Sequence, residues 1–414
     1  MLRPFLLFVY IAKIFVLIQK IEGTTEYDTY FHVFSKQNIN KPITILWADT
    51  TKWLKERSFQ NCSIKLIAHG YAERWNMDWR WDWVSEMKNE IINNKMNENL
   101  CVIAIDWEQG AREVNFITAV SNADIAGQHL AEFIQNNLID PKRLHCIGFS
   151  LGAHLCAFAS NNYYTISNKK LRFARISGLD PSGPLLRKAS IDKRLSSDDA
   201  DFVDCIHTST TFGLQEKSGH MDFFPDGGKS SAEGCEKFIN IKDNDETEKR
   251  FRIKRFLYSR NRKENDTSED MPKKSILGKI RDRLGALNPL KKVFLNIHAY
   301  IGCNHLRSPH YFISSINQCS FRAKLCSSWT DYLSKKCKDP VDNDLTYPRM
   351  GFYADKSNPI YKVGSGSFYL KTTPDKPYCT LSLSSRSEKE SKKQTSLKSK
   401  LKKKLSKVLP KKIG

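Results

Sequence analysis

The chain lacks any Cys-x-x-Cys pair although it carries 11 cysteines in 414 residues. That absence argues against zinc, whose structural sites use such closely spaced thiolates. Beyond its first two dozen residues the chain also lacks an apolar run near the ~18 residues that a membrane-spanning helix requires. No internal repeat is visible. The length allows one large α/β domain with appendages, or two ordinary domains.

What is present at the start reads as a leader. Met1–Gly23 carries Arg3 and then an apolar run from Phe5 to Ile18, broken by Lys13. It reads as a secretory signal peptide cleaved near Gly23, too short and too interrupted for an uncleaved anchor. The mature protein is expected to be exported and soluble, a compartment in which disulfides persist. Cys146, Cys156 and Cys205 lie inside apolar runs and read as buried small hydrophobes. The odd total leaves at least one free thiol. Asn61-Cys62-Ser63 and Asn265-Asp266-Thr267 are glycosylation sequons.

The net charge of +21 is concentrated in two segments. Residues 241–297 hold 16 Lys/Arg against 9 Asp/Glu, and residues 386–414 hold 12 against 2. The remaining 328 residues carry only +4, so the body of the chain is nearly neutral.

Short apolar runs at Ile64–Ala68 and Cys101–Ile105 suit strands buried on both faces of a parallel sheet. Trp83–Asn93 and Ala123–Leu138 read as helices between and after them. Leu144–Ile147 is a further strand and Leu151–Ala159 a buried helix, with Phe173–Ile176 and Phe202–His207 as later strands. This alternation predicts a doubly wound α/β fold with a mostly parallel sheet flanked by helices. Between strand and helix stands Gly148-Phe149-Ser150-Leu151-Gly152, the spacing of a nucleophile elbow. A sharp reversal leaves no room for side chains beside Ser150, whose hydroxyl would face the helix N-terminus. A serine needs a histidine base and an acid to orient it, in the order Ser, Asp/Glu, His on this fold. Asp180 follows the next strand, and His305 lies in what reads as a loop after Cys303. An Asp before proline reads equally as a turn residue, and His69, His129, His154, His207 and His220 are competing bases.

Gly148-Phe149-Ser150-Leu151-Gly152-Ala153-His154, Gly178-Leu179-Asp180-Pro181, Gly219-His220-Met221-Asp222-Phe223-Phe224-Pro225 and Cys303-Asn304-His305-Leu306-Arg307-Ser308 closely resemble the pancreatic-lipase family. So do Ile105-Asp106-Trp107, Phe202–Thr208 and Gly364-Ser365-Gly366, in the right order over roughly residues 40–380. The resemblance implies an α/β-hydrolase fold over residues 24–380, with Ser150, Asp180 and His305 as triad. It implies an oxyanion hole from the N–H groups of Tyr71 and Leu151. It also implies structural roles for His154 and His207, and a lid tied at its base by Cys235–Cys303.

That lid, residues 236–302, has 67 intervening residues where the family has a couple of dozen. The loop between His207 and His220 has only 12, as in phospholipase A1 members. The long lid points towards triacylglycerol and the short loop towards phospholipid. Residues 242–274 are charged and read as disordered. Ile276, Leu277, Ile280, Leu284 and Leu287 then repeat at helical spacing among basic residues. The segment 273–292 suits an anionic membrane surface or a seat over the cleft. In the tail, 381–414, Leu397, Leu401, Leu405 and Leu409 sit among lysines and suit acidic lipid or a sulfated polysaccharide. Nucleic acid is not an expected partner. A C-terminal β-sandwich found in many members of that family is not expected here. Of the family's calcium site Arg194 and Asp199 remain, but Ile191 and Ser196 replace carboxylates, so no cofactor or catalytic metal is expected. The implied activity is secreted lipid ester hydrolysis, the alternative a non-catalytic lipid carrier on the same fold.

Overall fold

The computed structural model describes residues 27–49, 62–75, 82–94, 99–113, 115–230, 232, 234–235, 289–337, 347–354 and 366–380. The expected signal peptide, the stretch 242–274, the stripe Ile276–Leu287 and the tail 381–414 lie outside the described residues, as do both sequon asparagines.

Ten strands build one sheet. They are β1 (Tyr30–Phe34), β2 (Ile43–Leu46), β3 (Ser63–Ala68), β4 (Leu100–Asp106), β5 (Leu144–Phe149), β6 (Arg175–Leu179), β7 (Val203–Ile206), β8 (Met221–Pro225), β9 (Lys324–Leu325) and β10 (Gly366–Leu370). The order is β2-β1-β4-β3-β5-β6-β7-β8-β10-β9, and the run from β4 to β10 is parallel. Antiparallel β1–β2 and β9 close its two edges. The expected mostly parallel sheet is therefore present, and it carries the α/β-hydrolase fold.

Four main helices cover the sheet: α1 (Trp83–Ile92), α2 (Phe116–Asn136), α3 (Leu151–Ile166) and α4 (Pro289–Asn317). Leu66, Ile103, Cys146 and Ile176 face one layer, packed with Ala123, Ala126 and Leu130 of α2 and with Leu155 of α3. Ile67, Val102, Ile147 and Phe149 face the other, packed with Met87 and Ile91 of α1 and with Phe312 and Ile316 of α4. Burial on both faces explains the near-continuous apolar strands. Side chains start two helices: Asp82 Oδ1 accepts the Ser85 N–H at 3.0 Å, and Asn115 Oδ1 accepts the Ile117 N–H at 3.0 Å.

The chain order reverses at the middle of the sheet. From β3 it crosses to β4 on one side, and from β5 it runs to β8 on the other. Loops at the C-terminal ends of β3 and β5 thus diverge around a crevice, the place where open α/β sheets bind ligands.

Three expectations change. Cys146 and Cys156 are not free hydrophobes but a disulfide, with Cα atoms 5.8 Å apart. The elbow has a single residue between strand and helix, so a strand cysteine and one in the second turn of α3 come face to face. His305 lies inside helix α4, not in a loop. The helix runs through Pro309, and proline in a helix interior removes a bond to the residue four before it. Here the residue that loses that bond is His305 itself, and its carbonyl instead accepts Ser308 Oγ at 3.1 Å and Thr208 Oγ1 at 3.5 Å. Finally β6 starts at Arg175, two residues later than expected, because Phe173 makes only an isolated bridge with Ala200.

The remaining pairs are Cys62–Cys101, Cys235–Cys303, Cys319–Cys379 and Cys326–Cys337, which leaves Cys205 free and buried. The short Cys146–Cys156 loop is expected to contribute roughly 2–3 kcal/mol by restricting the unfolded chain. Urea unfolding of a Cys146→Ala/Cys156→Ala variant should show a loss of that size. Unreduced, denatured wild-type protein should titrate with one thiol.

Candidate active site

Ser150 is the single residue between β5 and α3, with φ 55° and ψ −119°. A serine there is strained by about 1–3 kcal/mol. The glycines beside it explain why the strain persists. A Cβ on Gly148 would lie 2.2 Å from the Gly152 carbonyl oxygen, and one on Gly152 would lie 2.3 Å from the Ala68 carbonyl oxygen. Helix α3 therefore starts in direct contact with the ends of β3 and β5. The Ser150 backbone is clamped further by its N–H to Leu179 O at 3.0 Å and by Ser182 N–H to its own oxygen at 3.2 Å. Leu151 is the first residue of α3, where helical N–H groups have no intrahelical acceptor.

Asp180 leaves β6 with φ 45° and is fully buried. Its Oδ1 accepts N–H groups from Thr208 at 2.8 Å and Ser209 at 3.1 Å, and its Oδ2 accepts His305 Nδ1–H at 2.6 Å. A Cβ on Gly213 would meet Asp180 Oδ1 at 2.2 Å, so that glycine makes space for the carboxylate. Because Nδ1 donates to the carboxylate, Nε2 of the neutral ring is left as a base. The His305 ring is flanked by Phe149 at 4.5 Å and Phe212 at 5.5 Å between centroids. The Cys235–Cys303 disulfide anchors α4 two residues before it. Among the described residues Ser150 Oγ makes no hydrogen bond, so a Ser150–His305 contact is not formed here. Such contacts are often long in unliganded sites.

After β3 comes the Gly70–Tyr71 turn, where a Cβ on Gly70 would be 3.0 Å from Ser150 Cβ. Tyr71 is braced by its hydroxyl to Glu113 O at 2.9 Å and by an edge contact with Phe116 at 5.1 Å. Sequence reasoning missed Glu73, whose carboxylate accepts the Gly70 N–H at 2.8 Å. The readable signal was an acceptor three residues after a glycine in a turn.

Two of the competing histidines are held elsewhere. His154 Nε2 donates to Ser182 O at 2.9 Å while Nδ1 accepts Leu195 N–H at 3.0 Å, and burial pushes its pKa down to about 4. His207 lies 2.8 Å from Asp222 Oδ1 and 3.0 Å from Leu214 O. Cys205 joins His207 and Asp222, with ligand atoms within 4.8 Å of one another. The His207 nitrogens already serve Asp222 and Leu214, and Asp222 Oδ1 also accepts the Ser218 N–H, so the trio does not fit a metal. Neither do the calcium positions. Asp199 Oδ2 accepts Ser196 N–H at 2.7 Å, Oδ1 accepts Asn161 Nδ2 at 2.7 Å, and the Ile191 side chain offers no oxygen.

A protein-family model described as Lipase matches residues 15–253 and 290–378. Human inactive pancreatic lipase-related protein 1 is 28% identical over 357 residues, covering 83% of this chain and 63% of that protein. Pig pancreatic triacylglycerol lipase is 28% identical over 361 residues, covering 83% of this chain and 66% of its own length. The chain thus spans about two-thirds or less of the curated relatives it matches. Among solved structures, a butyrate-bound esterase 2 from Thermogutta terrifontis is 15% identical, covering 46% of this chain and 71% of its own, with a TM-score of 0.28.

Replacing Gly152 with alanine tests the elbow's packing. The Ala68 and His69 carbonyls lie within 2.6 Å of the added carbon, so backbone must move. A loss of about 2 kcal/mol or more in thermal unfolding is expected, as for overpacked cores.

Proposed function

The chain belongs to the lipase family, and from that premise we propose that it is a secreted serine carboxylic ester hydrolase acting on lipid esters. The observation that carries this reading is the 2.6 Å contact between Asp180 and His305 Nδ1, beside a serine held at positive φ. Ser150 Oγ attacks the acyl carbonyl while His305 Nε2 takes its proton. Asp180 keeps the ring in the tautomer that leaves Nε2 free and stabilises the imidazolium. The N–H groups of Leu151 and Tyr71 receive the oxyanion. His305 then returns the proton to the leaving alcohol, and water, activated by the same base, releases the fatty acid. No metal or cofactor takes part in these steps.

Secretion is supported by the leader's composition and by the five disulfides. Substrate is triacylglycerol or the sn-1 ester of a phospholipid, and the long insertion and short loop favour opposite choices. The basic segments 273–292 and 386–414 bring the enzyme to anionic lipid. A relative named inactive keeps a second reading in view, a lipid carrier without turnover. Against it stand Ser150, Asp180 and His305, all retained and positioned by separate elements.

Purified protein should release fatty acid from triolein emulsion or from phosphatidylcholine or phosphatidylserine vesicles. Ser150→Ala should lower that rate at least about a thousandfold, and Asp180→Asn about 10⁴-fold in kcat. Undiminished release by Ser150→Ala would defeat the assignment. Deleting 386–414 should weaken binding to anionic liposomes and leave hydrolysis of a soluble ester unchanged. Equal liposome binding would remove the tail from the account.

A further inference from the structure

The turn after β3 is tied more tightly than its length requires. Gly70 N–H donates to Glu73 Oε2 at 2.8 Å, and Glu73 N–H donates back to Gly70 O at 3.4 Å. His69 Nδ1 lies 3.1 Å from the same carbonyl oxygen. The Gly70 carbonyl and the Tyr71 N–H belong to one trans peptide plane and point in opposite directions. Fixing the carbonyl on the Glu73 side therefore fixes the Tyr71 N–H on the other. Ala72 N–H, bonded to Ala111 O at 2.8 Å, pins the far end of the turn.

The other carboxylate oxygen is held as well. Trp83 Nε1–H donates to Glu73 Oε1 at 3.2 Å, from an indole only 2% exposed at the start of α1. Trp83 makes an edge contact with Phe149 at 5.6 Å, and Phe149 lies 4.5 Å from the His305 ring. One rigid chain of contacts thus joins the turn to the triad histidine. Among the described residues no lysine or arginine pairs with Glu73. Loss of water around it pushes its carboxyl above the usual range, against the pull of the Gly70 N–H, His69, Trp83 and His305. Groups perturbed in that way gather at functional sites.

We propose that Glu73 is a positioning residue for the oxyanion hole, an acceptor-only clamp that sets the Gly70–Tyr71 peptide by holding one backbone and one indole N–H. This rests on the reading of Ser150 as nucleophile. Glutamine has the same shape but only one oxygen acceptor, so it turns an NH₂ group towards one of the two donors. The ground state binds little through the oxyanion hole, so the loss belongs in kcat and not in KM.

The test is hydrolysis of a soluble short-chain ester by the full chain and by Glu73→Gln, Trp83→Phe, the double variant and Ser150→Ala, with melting temperatures alongside. Glu73→Gln should lower kcat about 10- to 100-fold, with KM within about threefold of wild type and melting little changed. Trp83→Phe should lower kcat by a smaller factor, and the double variant should be no slower than Glu73→Gln alone, because both substitutions break one clamp. A kcat within about twofold of wild type in Glu73→Gln, or a loss expressed wholly in KM, overturns the proposal. Should Glu73→Gln fail to fold, Trp83→Phe decides: lowered kcat at constant KM supports the clamp, and unchanged kcat rejects it. Inactive Ser150→Ala with fully active Glu73→Gln refutes the clamp alone, whereas active Ser150→Ala refutes the nucleophile on which it rests.

Discussion

The close approach of three backbone segments around Ser150 is the constraint from which the site follows. β3, β5 and the start of α3 meet so tightly that no Cβ fits at Gly148 or Gly152. The chain can pass between them only by giving one residue a left-handed conformation, and that residue is Ser150. About 1–3 kcal/mol of strain is offset by a helix whose first ten residues are all buried. The same contact sets the first N–H of α3 beside the serine and brings the turn after β3 against Ser150 Cβ. The Cys146–Cys156 disulfide then closes the elbow across its back.

Polar groups engage several of the competing imidazoles. His154 and His207 are each engaged at both nitrogens, and His220 accepts the Val203 N–H at 3.0 Å. His305 is bonded through Nδ1 to Asp180, whose other oxygen is saturated by two backbone N–H groups. The loop that supplies those donors is itself held by Arg187, which donates to the carbonyls of Thr210, Thr211 and Gly213 at 2.6, 3.0 and 2.9 Å. Phe212 is thereby kept beside the His305 ring.

Much of this was legible in the chain. Gly-x-Ser-x-Gly between an apolar strand and an Ala-rich segment determines the elbow locally, because steric exclusion acts over five residues. The parallel strands were legible because burial on both faces leaves continuous apolar runs. Long-range features were not. The Cys146–Cys156 pair looks apolar in sequence, and only the elbow's reversal brings the two together. His305 reads as loop, and only the hydroxyls of Ser308 and Thr208 explain how the helix tolerates Pro309. Glu73 gave a weak signal, since its meaning depends on the distant Trp83.

The central claim is that Ser150 is an activated nucleophile. Its most direct test is a fluorophosphonate probe on the native protein, followed by mass spectrometric mapping of the labelled peptide in wild type and in His305→Asn. The account predicts one labelled serine, Ser150, and labelling slowed by orders of magnitude when the base is removed. Label on a different residue, or label on Ser150 at the same rate without His305, would contradict it.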